Sequence, residues 1–190
     1  MRIGLAAGHS ARTEGERLWE WKRCRKVQSR LGELLVYGGH HPVVPPRELY
    51  QLDNDAALAA KIAYFNQRRV EVAVELHLNA GGGQYSTCLY WSDGEDHHSE
   101  PGKELAGHVA RQLALAFPWR SIGPRSQGHM GRQLAFLGET TMPAVIVEPA
   151  FVDDPEQRAY LERLCGPVLY ATAVFQALCR YADEAKEGKA

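Results

Sequence analysis

Hydrophobic and polar positions follow two rhythms along this chain, short apolar runs that stop abruptly and longer stretches with apolar residues three or four apart. Residues 2–7 form an apolar run ending on Gly8-His9, the pattern of a buried strand, and the polar stretch 10–17 with Gly15 reads as a loop. From Leu18 to Tyr37, Val27, Leu31, Leu34 and Leu35 fall at helical spacing before a Gly38-Gly39 stop. His41 to Pro45 reads as a brief strand. Asp53 or Asn54 can cap a helix over 55–67, with Ala56, Ala59, Ala60, Ala63 and Tyr64 on its packed side. Residues 70–77 alternate with period two and also finish on a histidine, His77, before a mobile loop at Gly81-Gly82-Gly83. Tyr85 to Trp91 is β-rich, and the polar segment 92–102 leads into a helix near 103–117 carrying Leu105, Val109, Leu113 and Leu115. Residues 118–132 lack periodicity and read as a loop at the working face. Gln133 to Leu137 is a candidate short strand, Ala144 to Glu148 a clear one, and Asp153 or Asp154 before Pro155 opens a last helix through 155–181. Alternating strands and helices predict one α/β domain over residues 1–182, a three-layer, mainly parallel sheet flanked by helices, with 183–190 a charged C-terminal tail.

Composition narrows the function classes. With 190 residues, 45% of them hydrophobic, the chain can build one sizeable core. Lys+Arg 22 against Asp+Glu 23 leaves no cationic excess to attract nucleic acid or an anionic membrane. No apolar run approaches the ~18 residues of a membrane span, and the start at Met1 lacks the apolar core and cleavage site of a secretory signal. Nucleic-acid binding and membrane insertion are therefore not expected, and synthesis in the cytoplasm without a signal peptide is. Cys24, Cys88, Cys165 and Cys179 form no CxxC pair and read as reduced, mostly buried small hydrophobes.

The candidate chemistry sits at strand ends. In open α/β sheets functional groups gather at the carboxyl ends of strands, and three strands here end on His9, His77 and Glu148. Two imidazoles and a carboxylate suit a catalytic zinc. Glu14, Glu16 and Glu20 are all in range for the third ligand. Only Glu20 lies on the first long helix, but spacing alone leaves the choice open. The pairs His40-His41 and His97-His98 are poor metal sites, because adjacent side chains on a strand point to opposite faces. Trp19 and Trp21 flank Glu20 as bulk around the metal site, whereas Tyr85, Tyr90 and Trp91 read as sheet core.

Gly8-His9-Ser10, Glu20 with Leu31, Leu34 and Leu35 downstream, Leu76-His77-Leu78-Asn79-Ala80, and Met142-Pro143-Ala144-Val145-Ile146-Val147-Glu148-Pro149-Ala150-Phe151 together resemble the type 3 family of zinc-dependent N-acetylmuramoyl-L-alanine amidases. The likeness runs in order through nearly the whole chain. It implies His9, Glu20 and His77 as ligands of one zinc ion and Glu148 as the catalytic acid/base. The bond implied is the amide between the lactyl group of N-acetylmuramic acid and L-alanine in peptidoglycan. Three departures bear on loop shape and substrate preference: Glu75 stands where the family usually has a small residue or serine, Ser10 to Glu16 is more polar than the family's glycine-rich stretch, and Phe151-Val152-Asp153-Asp154 replaces Phe-x-Ser-Asn.

Asn79 is a candidate for a substrate hydrogen bond or for holding a turn, and His129 for a substrate contact. A monomer is expected, working in the cell wall or periplasm. Phage-mediated release of an endolysin is favoured over a bacterial enzyme trimmed of its signal. The rivals are a zinc carboxypeptidase or other metallopeptidase acting on stem peptides, and a non-catalytic wall-binding module. Close spacing of the first His and Glu is common in the peptidases, whereas a loop separates His9 from Glu20.

Overall fold

The computed structural model describes residues 1–131 and 133–188, with the side chain of His129 outside that description. In chain order the elements are β1 (Arg2–Ala7), α1 (Gly15–Tyr37), β2 (His41–Val43), α2 (Asn54–Arg68), β3 (Val72–Leu76), β4 (Ser86–Tyr90), α3 (Glu100–Ala116), β5 (Ser121–Ser126), α4 (Ala135–Glu139), β6 (Ala144–Glu148), α5 (Pro155–Glu162) and α6 (Gly166–Lys186). Short 3₁₀ turns lie at Arg47–Gln51 and Gly128–Met130. The six strands form one sheet in the order β2-β1-β3-β6-β4-β5. All neighbours run parallel except β4, which is antiparallel to β6.

The period-two rule sorts the strand residues between two cores. Ile3, Leu5, Val72, Val74, Leu76, Val145 and Val147 face α1, α3 and α6. Ala6, Ala73, Ala144 and Ile146 face the opposite layer, where Ile62 and Phe65 of α2 meet Phe136 and Leu137 of α4. By the same alternation Glu75 and Glu148 belong to the α2/α4 face. Every residue of β3 and β6 is buried, so the alternation marks two apolar layers rather than one wet face.

On α1 the inner stripe is Glu20, Cys24, Val27, Gln28, Leu31 and Leu35, a 3.6-residue pattern carrying a carboxylate at its head. Leu31 and Leu35 are fully buried, each worth about 1.5–3 kcal/mol. Tyr181 and Ala182 of α6 are also buried, and that helix continues through Asp183–Lys186, so the first half of the expected charged tail is helical.

Four sequence expectations are corrected. Residues 118–132 contain an edge strand, β5, whose Gly123 and Pro124 erase the alternation; a proline is tolerated there because an edge strand can spare a ladder donor. The apolar run after Gln133 is helical, not a strand, and packs its Phe136 ring against Phe65 at 6.2 Å. The single helix over 155–181 is two helices, interrupted before Gly166-Pro167, where a Cβ on Gly166 would lie 2.5 Å from the Leu161 carbonyl oxygen. The buried side of α2 is Ala57, Lys61, Ile62 and Phe65, with Ala56, Ala59 and Ala63 exposed.

All four cysteines are free, and Cys24 and Cys88 are buried. Among the described residues no helix is long and apolar enough to cross a membrane.

Candidate active site

Three neighbouring parallel strands, β1, β3 and β6, end side by side, and this brings His9, His77 and Glu148 to one edge of the sheet. The chain turns sharply past β1. Gly8 donates its N–H to the Leu76 carbonyl at 2.7 Å, and a Cβ at position 8 would fall 2.2 Å from the His77 ring, so the glycine makes room for the imidazole. His9 then adopts φ +60°, a left-handed conformation costing a non-glycine residue on the order of 1–3 kcal/mol. The two imidazoles meet edge to face, with centroids 5.1 Å apart.

Glu20 reaches the strand ends from α1. One oxygen, Oε2, lies 3.0 Å from His9 Nε2, and the other, Oε1, lies 2.9 Å from His77 Nδ1 and accepts the Leu78 N–H at 2.8 Å. Glu14 and Glu16 are exposed, which leaves Glu20 as the N-terminal glutamate brought to the histidines. Burial alone would raise the Glu20 carboxyl, but hydrogen bonds to His77 and then His9 bring it down to about 2. His77 has its second nitrogen, Nε2, 3.1 Å from Glu75 Oε2. Burial opposes charge on this ring, yet Glu75 and Glu20 raise it to about 10. Without a metal, an imidazolium therefore stands between two carboxylates.

Potential ligand atoms of His9, Glu20 and His77 all lie within 4.8 Å of one another. With His77 neutral, as a metal ligand must be, the buried charged groups around it are Glu20, Glu75, Glu148 and Lys61, three acidic side chains against one ammonium. A divalent cation would balance that excess, and two nitrogens with one carboxylate are the donors zinc favours. The residues present fit a metal ion.

A cleft opens beside this cluster on the α2/α4 face. Leu58, Leu134, Phe136 and Ile146 form an apolar wall, and His9, Glu75, His77 and Glu148 supply the polar floor. Glu148 is 8% exposed. Its alternative role, capping the following helix, is filled by Asp154, whose Oδ1 accepts the Gln157 N–H at 2.8 Å.

Asn79 lies just beyond His77. Its main chain bonds to Ala150 and Val152, while its Oδ1 accepts the Ala80 N–H at 2.8 Å, so it holds the turn. The following loop is pinned: Asp153 Oδ2 accepts from Gly81 and Gly82 at 2.9 and 2.8 Å. The expected contact of His129 rests on a side chain outside the described residues.

Trp19 packs away from the cluster, between Arg158 and Arg23, and donates to Glu162. Trp21 leans toward Tyr50, whose hydroxyl accepts the Ala7 N–H. Tyr90 and Trp91 pack partly buried against the two cores, while Tyr85 meets Phe151. His97 and His98 pair with Asp93 and Glu100 at the surface, and His40 sits near the N-terminus and Cys179.

Sequence reasoning missed Lys61. It is 1% exposed and donates to Glu75 Oε1 at 2.7 Å and to the Ala7 carbonyl at 2.9 Å. Glu75 stood out only as a departure in composition. A usable signal was present, since Lys61 shares a helical stripe with Ala57, Ile62 and Phe65.

A family model described as N-acetylmuramoyl-L-alanine amidase matches residues 3–180. No curated protein sequence matches the chain significantly. Similar solved structures include an N-acetylmuramoyl-L-alanine amidase from Clostridium difficile 630, with TM-score 0.78 and 19% identity over 96% of each chain. The catalytic domain of the amidase CwlV from Bacillus (Paenibacillus) polymyxa var. colistinus aligns with TM-score 0.78 and 18% identity over 96% of this chain and 99% of that one. The catalytic domain of the CD27L endolysin targeting Clostridia difficile gives 0.73 and 21%, over 95% and 97%. At these identities the structural likenesses speak for the fold. The match over residues 3–180 speaks for more: this chain belongs to the N-acetylmuramoyl-L-alanine amidase family.

Proposed function

We propose that His9, Glu20 and His77 hold one zinc ion and that Glu148 is the acid/base in hydrolysis of the amide between N-acetylmuramic acid and L-alanine of peptidoglycan. The observation that carries this reading is the convergence of three adjacent parallel strand ends on one cleft, with Glu20 inserted between the two imidazoles. The family's dependence on zinc supports it.

A zinc ion held there would supply Lewis acidity, lowering the pKa of a water molecule and polarising the scissile carbonyl. Glu148, on the floor of the same cleft, takes a proton from the attacking water and returns one to the departing alanine amine. Such proton transfer contributes typically ~10²–10⁴ in rate. The apolar wall of Leu58, Leu134, Phe136 and Ile146 limits solvent around the reacting groups. Peptidoglycan is the substrate, and the cell wall the place of action.

The test is digestion of purified peptidoglycan with and without a chelator, the new ends being identified by mass. New L-alanine amino termini that vanish with chelator are expected, and Glu148→Gln should slow their release by about 10²–10⁴-fold while retaining zinc. Ends created inside the stem peptide would replace the amidase with a peptidase. Undiminished release by Glu148→Gln would remove the acid/base from this residue.

A further inference from the structure

His77 is held from both sides. Its Nδ1 faces Glu20 on the α1 side of the sheet, whereas its Nε2 faces Glu75, which shares the opposite side with α2. Glu75 is 2% exposed and its other oxygen accepts from Lys61. A buried carboxylate left without a counter-charge would be strongly destabilising. Lys61 supplies that charge and is itself fixed by the Ala7 carbonyl, two residues before His9, and by the face of the Tyr50 ring at 5.6 Å. The chain Tyr50–Lys61–Glu75–His77 thus ties α2 to the strand ends of β1 and β3.

We propose that Lys61 and Glu75 are a positioning pair for the metal site. Glu75 accepts the Nε2–H of His77, which fixes the tautomer with its lone pair on Nδ1, the nitrogen turned toward Glu20 and His9, and Lys61 keeps the Glu75 carboxylate charged and in place. The proposal rests on the assignment of His77 as a zinc ligand. Carboxylates on the far nitrogen of a metal-binding histidine orient the ring and raise its basicity, and their loss typically costs about 10–100-fold in metal affinity.

The test removes the pair without stranding a charge. Zinc affinity, measured by competition with a chromophoric chelator, should fall about 10–100-fold in Lys61→Met/Glu75→Leu. Lys61→Met/Glu75→Gln, which retains a neutral acceptor for Nε2–H, should recover part of that loss. Thermal unfolding of the metal-free Leu variant should stay at or above wild type, because apolar replacement of a buried ion pair is often neutral or stabilising. Nitrogen NMR of zinc-loaded protein should show the Nε2–H proton of His77 slowed in its exchange with solvent in wild type and exchanging faster in the Leu variant, which lacks the acceptor.

His77→Ala separates the two levels. If it loses tight zinc binding while Lys61→Met/Glu75→Leu binds like wild type, the positioning pair is overturned and the zinc site stands. A lowered unfolding temperature at unchanged zinc affinity makes the pair purely structural and also overturns the proposal. Equal zinc binding by wild type and His77→Ala overturns both the site and the pair.

Discussion

Among the described residues two groups place histidine and carboxylate donors within reach of a common ion, and they differ in what surrounds the imidazoles. His9, Glu20 and His77 come from three separate elements. In the second group Glu104 and His108 lie one turn apart on α3, with Glu184 supplied by α6. His108 Nδ1 lies 2.9 Å from an Arg111 guanidinium nitrogen, which can only donate, so the ring proton is on Nε2 and goes to Glu184 at 3.0 Å. Both nitrogens are spent, and a cation already stands alongside. At His77 both nitrogens face carboxylates, Glu20 at Nδ1 and Glu75 at Nε2, so a metal on Nδ1 would leave the ring proton on Nε2, where Glu75 accepts it. Proximity of donors is common to both groups. A far nitrogen that can keep the ring proton while the near one takes a metal, beside a cleft with its own carboxylate, belongs to the first.

The contrast is broken most sharply by zinc binding. Glu20→Ala should weaken it by more than about 100-fold, beyond what loss of an outer partner costs, and Glu184→Ala should leave affinity and stoichiometry unchanged. Two zinc ions per chain, with one lost in Glu184→Ala, would erase the distinction. A smaller effect is expected on stability. His108→Ala removes a buried link between α3 and α6 and should cost about 1–3 kcal/mol in denaturant unfolding, with peptidoglycan hydrolysis intact. Lost hydrolysis in a folded His108→Ala protein would place this cluster in the reaction after all.

The smallest effect concerns carboxylates that accept backbone N–H groups. Asp153 is held below the ordinary aspartate range by the Gly81 and Gly82 amides, and Asp154 by the Gln157 amide and then the Gln84 side chain. A carboxyl depressed on folding stabilises above its unfolded pKa of about 3.9, and that contribution is lost as pH falls through the lower folded value. The amide protons of Gly81 and Gly82 should therefore follow Asp153, and that of Gln157 should follow Asp154, with both sets shifting below about pH 4 in an NMR series. Shifts complete well above pH 4 would contradict the hydrogen bonds.

Much of this frame is legible in sequence because the signals are local. The Leu31 and Leu35 stripe fixes α1, and the apolar run from Ala144 to Glu148 fixes β6 to the residue. Legibility fails where the pattern lacks contrast or the partner is distant. Five alanines in α2 blur its apolar side, so the stripe of Ala57, Ile62 and Phe65 that carries Lys61 inward stands out only beside the approach of Glu75 on β3. Gly123 and Pro124 suit a strand only because β5 lies at an edge, and edge status depends on the whole sheet order. Spacing could not separate Glu20 from Glu14 and Glu16. The family resemblance could, and the helix explains why: the buried stripe through Leu35, Leu31, Val27 and Cys24 reaches Glu20 at the sheet edge and leaves the other two in solvent.

The sheet order also has a consequence in time. β6 is the final strand in the chain, yet it lies between β3 and β4, joining β2-β1-β3 to β4-β5. A protein emerging from the ribosome N-terminus first has His9, Glu20 and His77 available together long before the joining strand is made. Glu148 ends that strand. On the proposed assignment the residues that would hold an ion thus precede the one that would move protons, and hydrolysis waits for β6 to join the two halves of the sheet.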